Sequence, residues 1–501
     1  MIICFVLFSS AGLFQACNDW LDIRSGEVLL QEEVFGDADG FRIAVNGVYR
    51  QVASQELYGR NLTWGLMSVA AQHYLGGYNM TTLLTRMSNY EWEHTDLLGI
   101  TESMWAKSYN IIANCNNIIQ ETEKKDGDFF IHGQDEKDLI LGEMYGMRAL
   151  LHFEMLRLFV PAPSTGYKGA AIPYVSVFPT HQPERLDYDQ AIKLIIEDME
   201  KARTLLKPLD TDAFSAWIRD VEHRFIGGKH AAAWSEFVNF RGVRMNYWAA
   251  TGLLARIYLW NGDMSKAYDA AKEVYDYHID GIFTWTGSYS QTNIDYLHPK
   301  RWQELLLAFY DRNNYDNYEK EVALNGNNSW APTFAMKNMN ELFGTETNDY
   351  RYSGLYRNNV YVTYRRTTSL SAMAQSIAEW QGPLQIVIRF PEMYHIMIEC
   401  LIHEQKYGEA RTLAAALRQA RGTGDTLIPH NNDDMDNDGV GDFTGWLIND
   451  IIREGLTEGQ VFYMFKRLNR DVFNGANPYP MTPAKFTPPY PNNETSYATS
   501  N

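Results

Sequence analysis

From Ala250 the apolar positions fall at Ala250, Leu253, Leu254, Ile257 and Tyr258, a spacing of i, i+3, i+4, i+7, i+8 that lines one face of a helix. Gly262 stops that stripe. After a short turn Ala267, Ala270, Ala271 and Val274 form a second one, whose small side chains let two helices approach closely. The pattern predicts a helical hairpin. The same register returns 143 residues later, at Met393, Ile396, Met397, Cys400 and Leu401, then at Ala410, Leu413, Ala414 and Leu417. Pro391 suits a first helical turn, and Arg418, Arg421 and Gly422 suit a last one. Larger apolar residues on the first helix and alanines on the second make up a tetratricopeptide unit. Here the units are dispersed along the chain, not tandem.

Further helices are predicted over about 103–123, with Trp105, Tyr109, Ile112, Asn116 and Ile119 on it, and over about 137–159, which Pro161 and Pro163 end. A partner for the second follows at about 188–206. Between these lie irregular stretches rich in Gly, Asn, Tyr and Trp, at about 60–98, 207–245, 280–390 and 422–446. Such long connections in a compact protein usually carry function. The chain holds 13 Trp, 31 Tyr and 24 Phe, and many of these rings sit in the irregular stretches, where packing alone explains them less well.

The N-terminus reads as an export signal. Ile2 to Leu13 is apolar but too short to span a bilayer as a helix, and it leads to Ala16 and Cys17. Residues 1–16 are expected to be cleaved, leaving Cys17 to carry lipid. More than one acyl chain is needed for stable anchoring. A buried N-terminal helix is the alternative, but Asn18, Asp19 and Asp22 end the apolar run abruptly. No later segment is long and apolar enough to cross a membrane. A formal charge of −18 argues against a nucleic-acid partner, which needs clustered Lys and Arg. Beyond Cys4 and Cys17 only Cys115 and Cys400 remain, which is no disulfide framework. Both fall in helical patterns and read as small buried apolar residues.

Several pieces, taken in order, carry a resemblance: CNDWLDI after the signal, WAKSYNIIANCNNII at 105–119, GEMYGMRALLHFEMLRLFVPAP at 142–163, LLARIYLWNGDMSKAYDAAKEV at 253–274, the run from Ile388 to Gly422, and IIREGLTEGQVFYMFKRL at 451–468. Together they resemble the SusD/RagB family of surface lipoproteins from Bacteroidetes. The resemblance implies an all-α fold, a right-handed superhelix of tetratricopeptide-like helix pairs with long irregular loops. It also implies one compact mature unit, with a SusD-like N-terminal region over 17–225 and a C-terminal region over 226–501. Functionally it implies a non-enzymatic nutrient-binding protein on the outer membrane. Such a protein caps a SusC-like TonB-dependent transporter and delivers glycan, or in some members peptide, to it.

A neutral sugar offers C–H groups on one ring face and hydroxyls at its edge. A binder therefore needs a flat aromatic platform flanked by hydrogen-bonding groups. In the loop segments Tyr74, Tyr78 and Trp92 are interleaved with Asn79, Arg86 and Asn89, while Trp285, Tyr289 and Tyr296 sit beside Gln291 and Asn293; Trp330 follows an Asn/Gly run. Tyr74, Tyr78, Asn79, Arg86, Trp92, Trp285, Tyr289, Tyr296 and Trp330 are the expected ligand-binding residues. The competing reading is that each ring staples a loop to the helices. If the first holds, replacing Trp92 or Trp285 with Ala weakens glycan binding at little thermal cost. Trp105, Tyr109 and Trp248 are assigned to the core.

DMDNDGVGD at 434–442 places Asp434, Asp436, Asp438 and Asp442 at positions 1, 3, 5 and 9 of a calcium loop, with Gly439 at the turn and the Val440 carbonyl at position 7. Structural Ca²⁺ is the one ion this suggests. Gly445 stands where a bidentate Glu is expected, so the alternative is an acidic surface turn. No other cofactor is expected. An all-helical glycan-degrading enzyme is the main rival, with Glu304, Glu341 and Asp349 as carboxylates near aromatic loops. Glycosidases need two carboxylates at a fixed separation, which a sequence does not show. Hydrolase and nucleotide motifs are missing, and His73, His94 and His298 are isolated. A scaffold whose helix pairs bind only proteins is the third class.

Overall fold

The computed structural model describes residues 33–75, 82–179, 184–219, 223–226, 234, 236–286, 300–322, 334–357, 359–364, 381–433 and 442–491. Most of these are helical, as the sequence leads one to expect. Local chemistry sets where the helices begin and end. The Asp37 carboxylate accepts from the Gly40 N–H at 2.9 Å and starts α1 (Ala38–Val52). His94 caps α2 (Thr95–Glu123) through its ring nitrogen, and α3 (Gly133–Phe159) and α4 (Tyr188–Pro208) follow.

The first expected hairpin is α5 (Tyr247–Asn261) and α6 (Met264–Ile279). Only Gly262 and Asp263 separate them. Gly262 adopts the left-handed conformation, φ 81°, that ends a helix without a Cβ clash. The Asp263 carboxylate then accepts from the Lys266 N–H at 3.1 Å and opens the next helix. The second is α7 (Pro391–His403), with Pro391 in its first turn as expected, and α8 (Tyr407–Ala420). Here Gln405, at φ 59°, makes the left-handed turn. α9 (Phe443–Glu454) and α10 (Val461–Leu468) complete the helices used below.

Helices adjacent in the chain are adjacent in space. α1 lies on α2, α2 on α3, α3 on α4, α4 on α5, α5 on α6, α6 on α7 and α7 on α8, while α9 lies against α7. α3 is the centre of this stack, buried on every side from Leu139 to Phe159. Two of its glycines make that possible. A Cβ on Gly142 would lie 2.6 Å from the Leu206 side chain of α4, and one on Gly146 would lie 2.6 Å from Met245. Backbone meets side chain there, so neither position has room for a methyl group. Cys115 and Cys400 are buried and unbridged, and burial pushes both thiols up to about 12.

Short antiparallel ladders add to the helices. β1 (Ala170–Pro173) pairs with β2 (Arg185–Asp187), β3 (Leu305–Tyr310) with β6 (Leu384–Arg389), and β4 (Tyr356–Arg357) with β5 (Val360–Tyr361). The β3–β6 ladder runs from the Leu305↔Arg389 pair to the Tyr310↔Leu384 pair. Five of its six β3 residues and all of β6 are buried, so neither strand shows the alternation of a half-exposed sheet. Arg418 and Arg421 do not serve as exposed helix-end charges. Both are buried, Arg418 against Glu346 and Arg421 against Glu304 and Glu454. Among the described residues no helix is long and apolar enough to cross a membrane.

Candidate functional site

Of the expected ligand-binding residues, Tyr78, Asn79, Tyr289, Tyr296 and Trp330 lie outside the described residues, as do Cys17, Asp434, Asp436, Asp438 and Val440. The others occupy different neighbourhoods. Tyr74 is 5% exposed, with its hydroxyl donating to the Trp64 carbonyl at 2.7 Å and its ring edge-on to Phe334. Trp92 is 3% exposed and donates from its indole N–H to the Lys485 carbonyl at 2.8 Å. Trp285 is half-buried, 4.6 Å from Phe390 and 5.2 Å from Tyr394, with the Arg421 guanidinium over its ring. Arg86 pairs with Glu91 and Asp96 near the surface. For Tyr74 and Trp92 this is the geometry of the loop-stapling alternative. Asp442 caps α9, accepting from the Gly445 N–H at 2.6 Å. Trp105 and Trp248 are buried in the core.

The carboxylates considered for catalysis are engaged. Glu304 is wholly buried and accepts from Arg421 at 2.8 and 2.9 Å, from Arg389 at 2.9 Å and from the Thr286 N–H at 3.1 Å. Burial alone would raise its pKa, but Arg421 and Arg389 outweigh burial and hold it below the usual carboxylate value. A general acid in a glycosidase needs the opposite shift. Asp349 is likewise buried, bound to Arg351 at 2.7 Å. Glu341 is exposed on a single helical turn, Met339–Phe343.

A different place combines rings with hydrogen-bonding groups. At the open end of the β3–β6 ladder, a groove of about 430 Å³ lies between α1, the 239–244 turn and the 310–313 segment. That volume falls within the roughly 300–1,000 Å³ of small-molecule sites. The last residue of β3 supplies its main feature. Phe309 points into the core, so Tyr310 points out and is 40% exposed.

Beside Tyr310 stands Phe240, ring centroids 5.0 Å apart and planes at 48°. Phe240 has φ +63°, a conformation that is unusual for a bulky residue and stores strain of order 1–2 kcal/mol. Its backbone is held there from several directions. The Phe240 N–H donates to the Phe225 carbonyl at 2.8 Å, and its own carbonyl accepts from the N–H groups of Val243 and Arg244 at 2.9 and 3.0 Å.

Polar groups edge the two rings. Asn46 and Arg50 reach the groove from α1, Asn239 from the turn, and Arg312 and Asn313 from the segment after β3. The Oδ1 of Asn239 is buried and accepts no hydrogen bond from the described residues. An orphaned buried acceptor costs about 1–3 kcal/mol, and a ligand hydroxyl is the kind of group that relieves it. On the groove floor Tyr49 accepts from the Met245 N–H at 3.0 Å under the Arg244 guanidinium, which Glu143 neutralises at 2.7 Å. Burial, reinforced by Glu143, pushes the Tyr49 phenol well above its ordinary pKa. It therefore stays a neutral hydroxyl.

The groove escaped the sequence because Phe240 and Tyr310 are distant in the chain and meet only through tertiary packing. The signal available was LLLAFY followed by DRNN at 305–314, an apolar run ending on an aromatic before a polar turn.

Comparisons with known proteins agree with the fold. Residues 44–213 match a SusD-like family model described as starch-binding, associating with the outer membrane. A SusD-like protein, P2, from Formosa agariphila is 20% identical over 258 residues, 52% of this chain. The match spans 43% of that relative, less than half its length. A solved SusD superfamily protein from Bacteroides thetaiotaomicron superposes with a TM-score of 0.65 at 20% identity, covering 92% of this chain and 98% of that one. A laminarin-binding SusD-like protein superposes with a TM-score of 0.59 at 14% identity, covering 87% and 92%. With the helix pairs and order of motifs described above, these findings show a SusD-like fold, and residues 44–213 are similar to the SusD-like family model.

Proposed function

We propose that this protein captures oligosaccharide at the bacterial surface and passes it, uncleaved, to a TonB-dependent transporter in the outer membrane, tethered there by lipid on Cys17. The observation that carries this reading is the outward-facing Tyr310 beside the strained Phe240 in a groove edged by asparagines and arginines. A sugar ring laid on Tyr310 would bury its C–H face there and direct its hydroxyls to Asn46, Asn239 and Asn313. The family's carbohydrate binding and the name of the laminarin-binding neighbour support the ligand class. Family resemblance supports the transporter and the anchor. The guanidinium-saturated state of Glu304 supports binding without cleavage.

Tyr310→Ala tests the site. Because the ring is largely outside the core, its removal is expected to leave the melting temperature nearly unchanged. It should weaken binding of the oligosaccharide that the wild type prefers on a glycan array by about tenfold to a hundredfold, the loss of one buried aromatic contact. Calorimetry measures the affinity, and reducing-end assays of the same mixtures should show no new ends. Unchanged affinity in Tyr310→Ala would remove the groove from consideration.

A further inference from the structure

The charge around the groove runs against the charge of the molecule. The whole chain carries a formal −18, a field that repels anions and already keeps the protein soluble. Yet the groove is edged by two exposed arginines, Arg50 on α1 and Arg312 after β3. Neither has a carboxylate partner among the described residues. The third guanidinium, Arg244, is spoken for by Glu143. Among the described residues lining the groove the one carboxylate is Asp311, and its Oδ1 accepts from the Asn313 N–H at 3.0 Å, turning it toward the backbone.

Elsewhere among the described residues many arginines end on acids: Arg42 on Glu136, Arg60 on Glu321, Arg148 on Asp198, Arg157 on Glu154 and Arg256 on Glu392. With acidic residues in excess, two guanidiniums left open at one groove need a reason. Lysine would serve for solubility; the planar guanidinium fork fits the paired oxygens of a carboxylate or sulfate.

We propose that the groove selects anionic oligosaccharides, sugars bearing carboxylate or sulfate groups, with Arg50 and Arg312 taking the charged substituents while Tyr310 and Phe240 take the ring. This rests on the groove being the glycan site. It goes further by naming which glycans are preferred.

Matched probes test it on the full mature protein. Tetrasaccharides of polygalacturonate and of a sulfated galactan are each compared by calorimetry with their carboxyl-reduced or desulfated counterparts. In at least one pair the charged member is expected to bind about tenfold more tightly at low salt. That advantage should shrink toward parity near 1 M salt, where the Debye length falls to about 3 Å. The pair that shows the advantage tells carboxylate from sulfate. In an Arg50→Gln, Arg312→Gln double variant, which alters only exposed side chains, the ratio of charged to neutral affinity should collapse to about one.

Equal binding of both members by the wild type overturns the preference, as does an advantage that survives in the double variant. If both members bind equally and Tyr310→Ala weakens both, the groove still binds sugar and only the anionic preference falls. If no pair binds and Tyr310→Ala changes nothing on the array, the groove itself is not the site.

Discussion

Glu454→Gln is expected to lower the unfolding free energy by about 3–5 kcal/mol, the loss typical when one member of a buried ion cluster is removed and its partners stay charged. Glu454 ends α9 and is met by four guanidiniums: Arg301 at 3.0 Å, Arg389 at 2.6 Å, Arg421 at 2.8 Å and Arg351 at 3.1 Å. These come from the residue before the turn into β3, the end of β6, the end of α8 and the short helix Tyr350–Ser353. Glu304, Asp349, Asp450 and Glu458 share the same arginines, and the His395 Nε2 lies 2.8 Å from Asp450. One carboxylate thus joins four segments far apart in the chain. Glutamine keeps the shape but turns an N–H₂ toward arginine donors, so the charge is lost and a repulsive contact is added. Urea denaturation measures the effect, and a loss under about 1 kcal/mol would show that the cluster contributes little.

The same group fixes a pH dependence. Burial alone would raise the Glu454 pKa, but Arg421, Arg389, Arg301 and Arg351 together hold it well below the usual 4.5, and Glu304 is lowered for the same reason. A carboxylate depressed in the folded state adds stability that is fully present above its unfolded pKa and disappears as pH falls through its folded pKa. Wild-type stability should therefore hold from pH 7 to about 5 and fall below about 4. In Glu454→Gln part of that acid-side slope should be absent, because its proton uptake no longer differs between folded and unfolded chains.

Trp92→Ala is expected to cost about 3–5 kcal/mol, as for other buried Trp or Phe truncations. Its ring is 3% exposed beside Tyr90, and its N–H reaches the Lys485 carbonyl, tying the 90–94 loop to the C-terminal segment 484–489. The sequence invites the opposite expectation, weaker glycan binding at little thermal cost. A melting temperature within a degree or two of wild type, together with lost affinity, would return Trp92 to the ligand. In the structure the indole is a strut between two surface segments, and its removal opens a cavity and takes the indole donor from the Lys485 carbonyl.

The helices were legible because their signal is local. Periodicity, Pro391 at a first turn and the Gly262-Asp263 stop-and-start need no knowledge of the rest of the chain. β3 and β6 were not, since LLLAF and LQIVIR are buried on both faces, and a short apolar run of that kind does not distinguish strand from helix. Arg418 and Arg421 show a second limit. Their sequence position fits a helix end, but their partners lie 72 and 117 residues away, at Glu346 and Glu304. Tyr74 and Trp92 show a third: a ring in an irregular segment looks the same in sequence whether it faces solvent or fills a gap. Phe240 carried no local mark, because what distinguishes it is backbone strain, and Tyr310 carried only the weak one of an aromatic closing an apolar run before a polar turn.

The strand that carries Tyr310 at one end follows directly on Glu304 at the other, where it is clamped by guanidiniums. In the proposed role a ligand would meet Tyr310 on a strand whose other end is anchored before it arrives. The backbone freedom of that strand is already removed, so on that proposal more of the entropy lost on association falls on the ligand. Stiff or pre-curved chains should be held longer than floppy ones of the same chemistry.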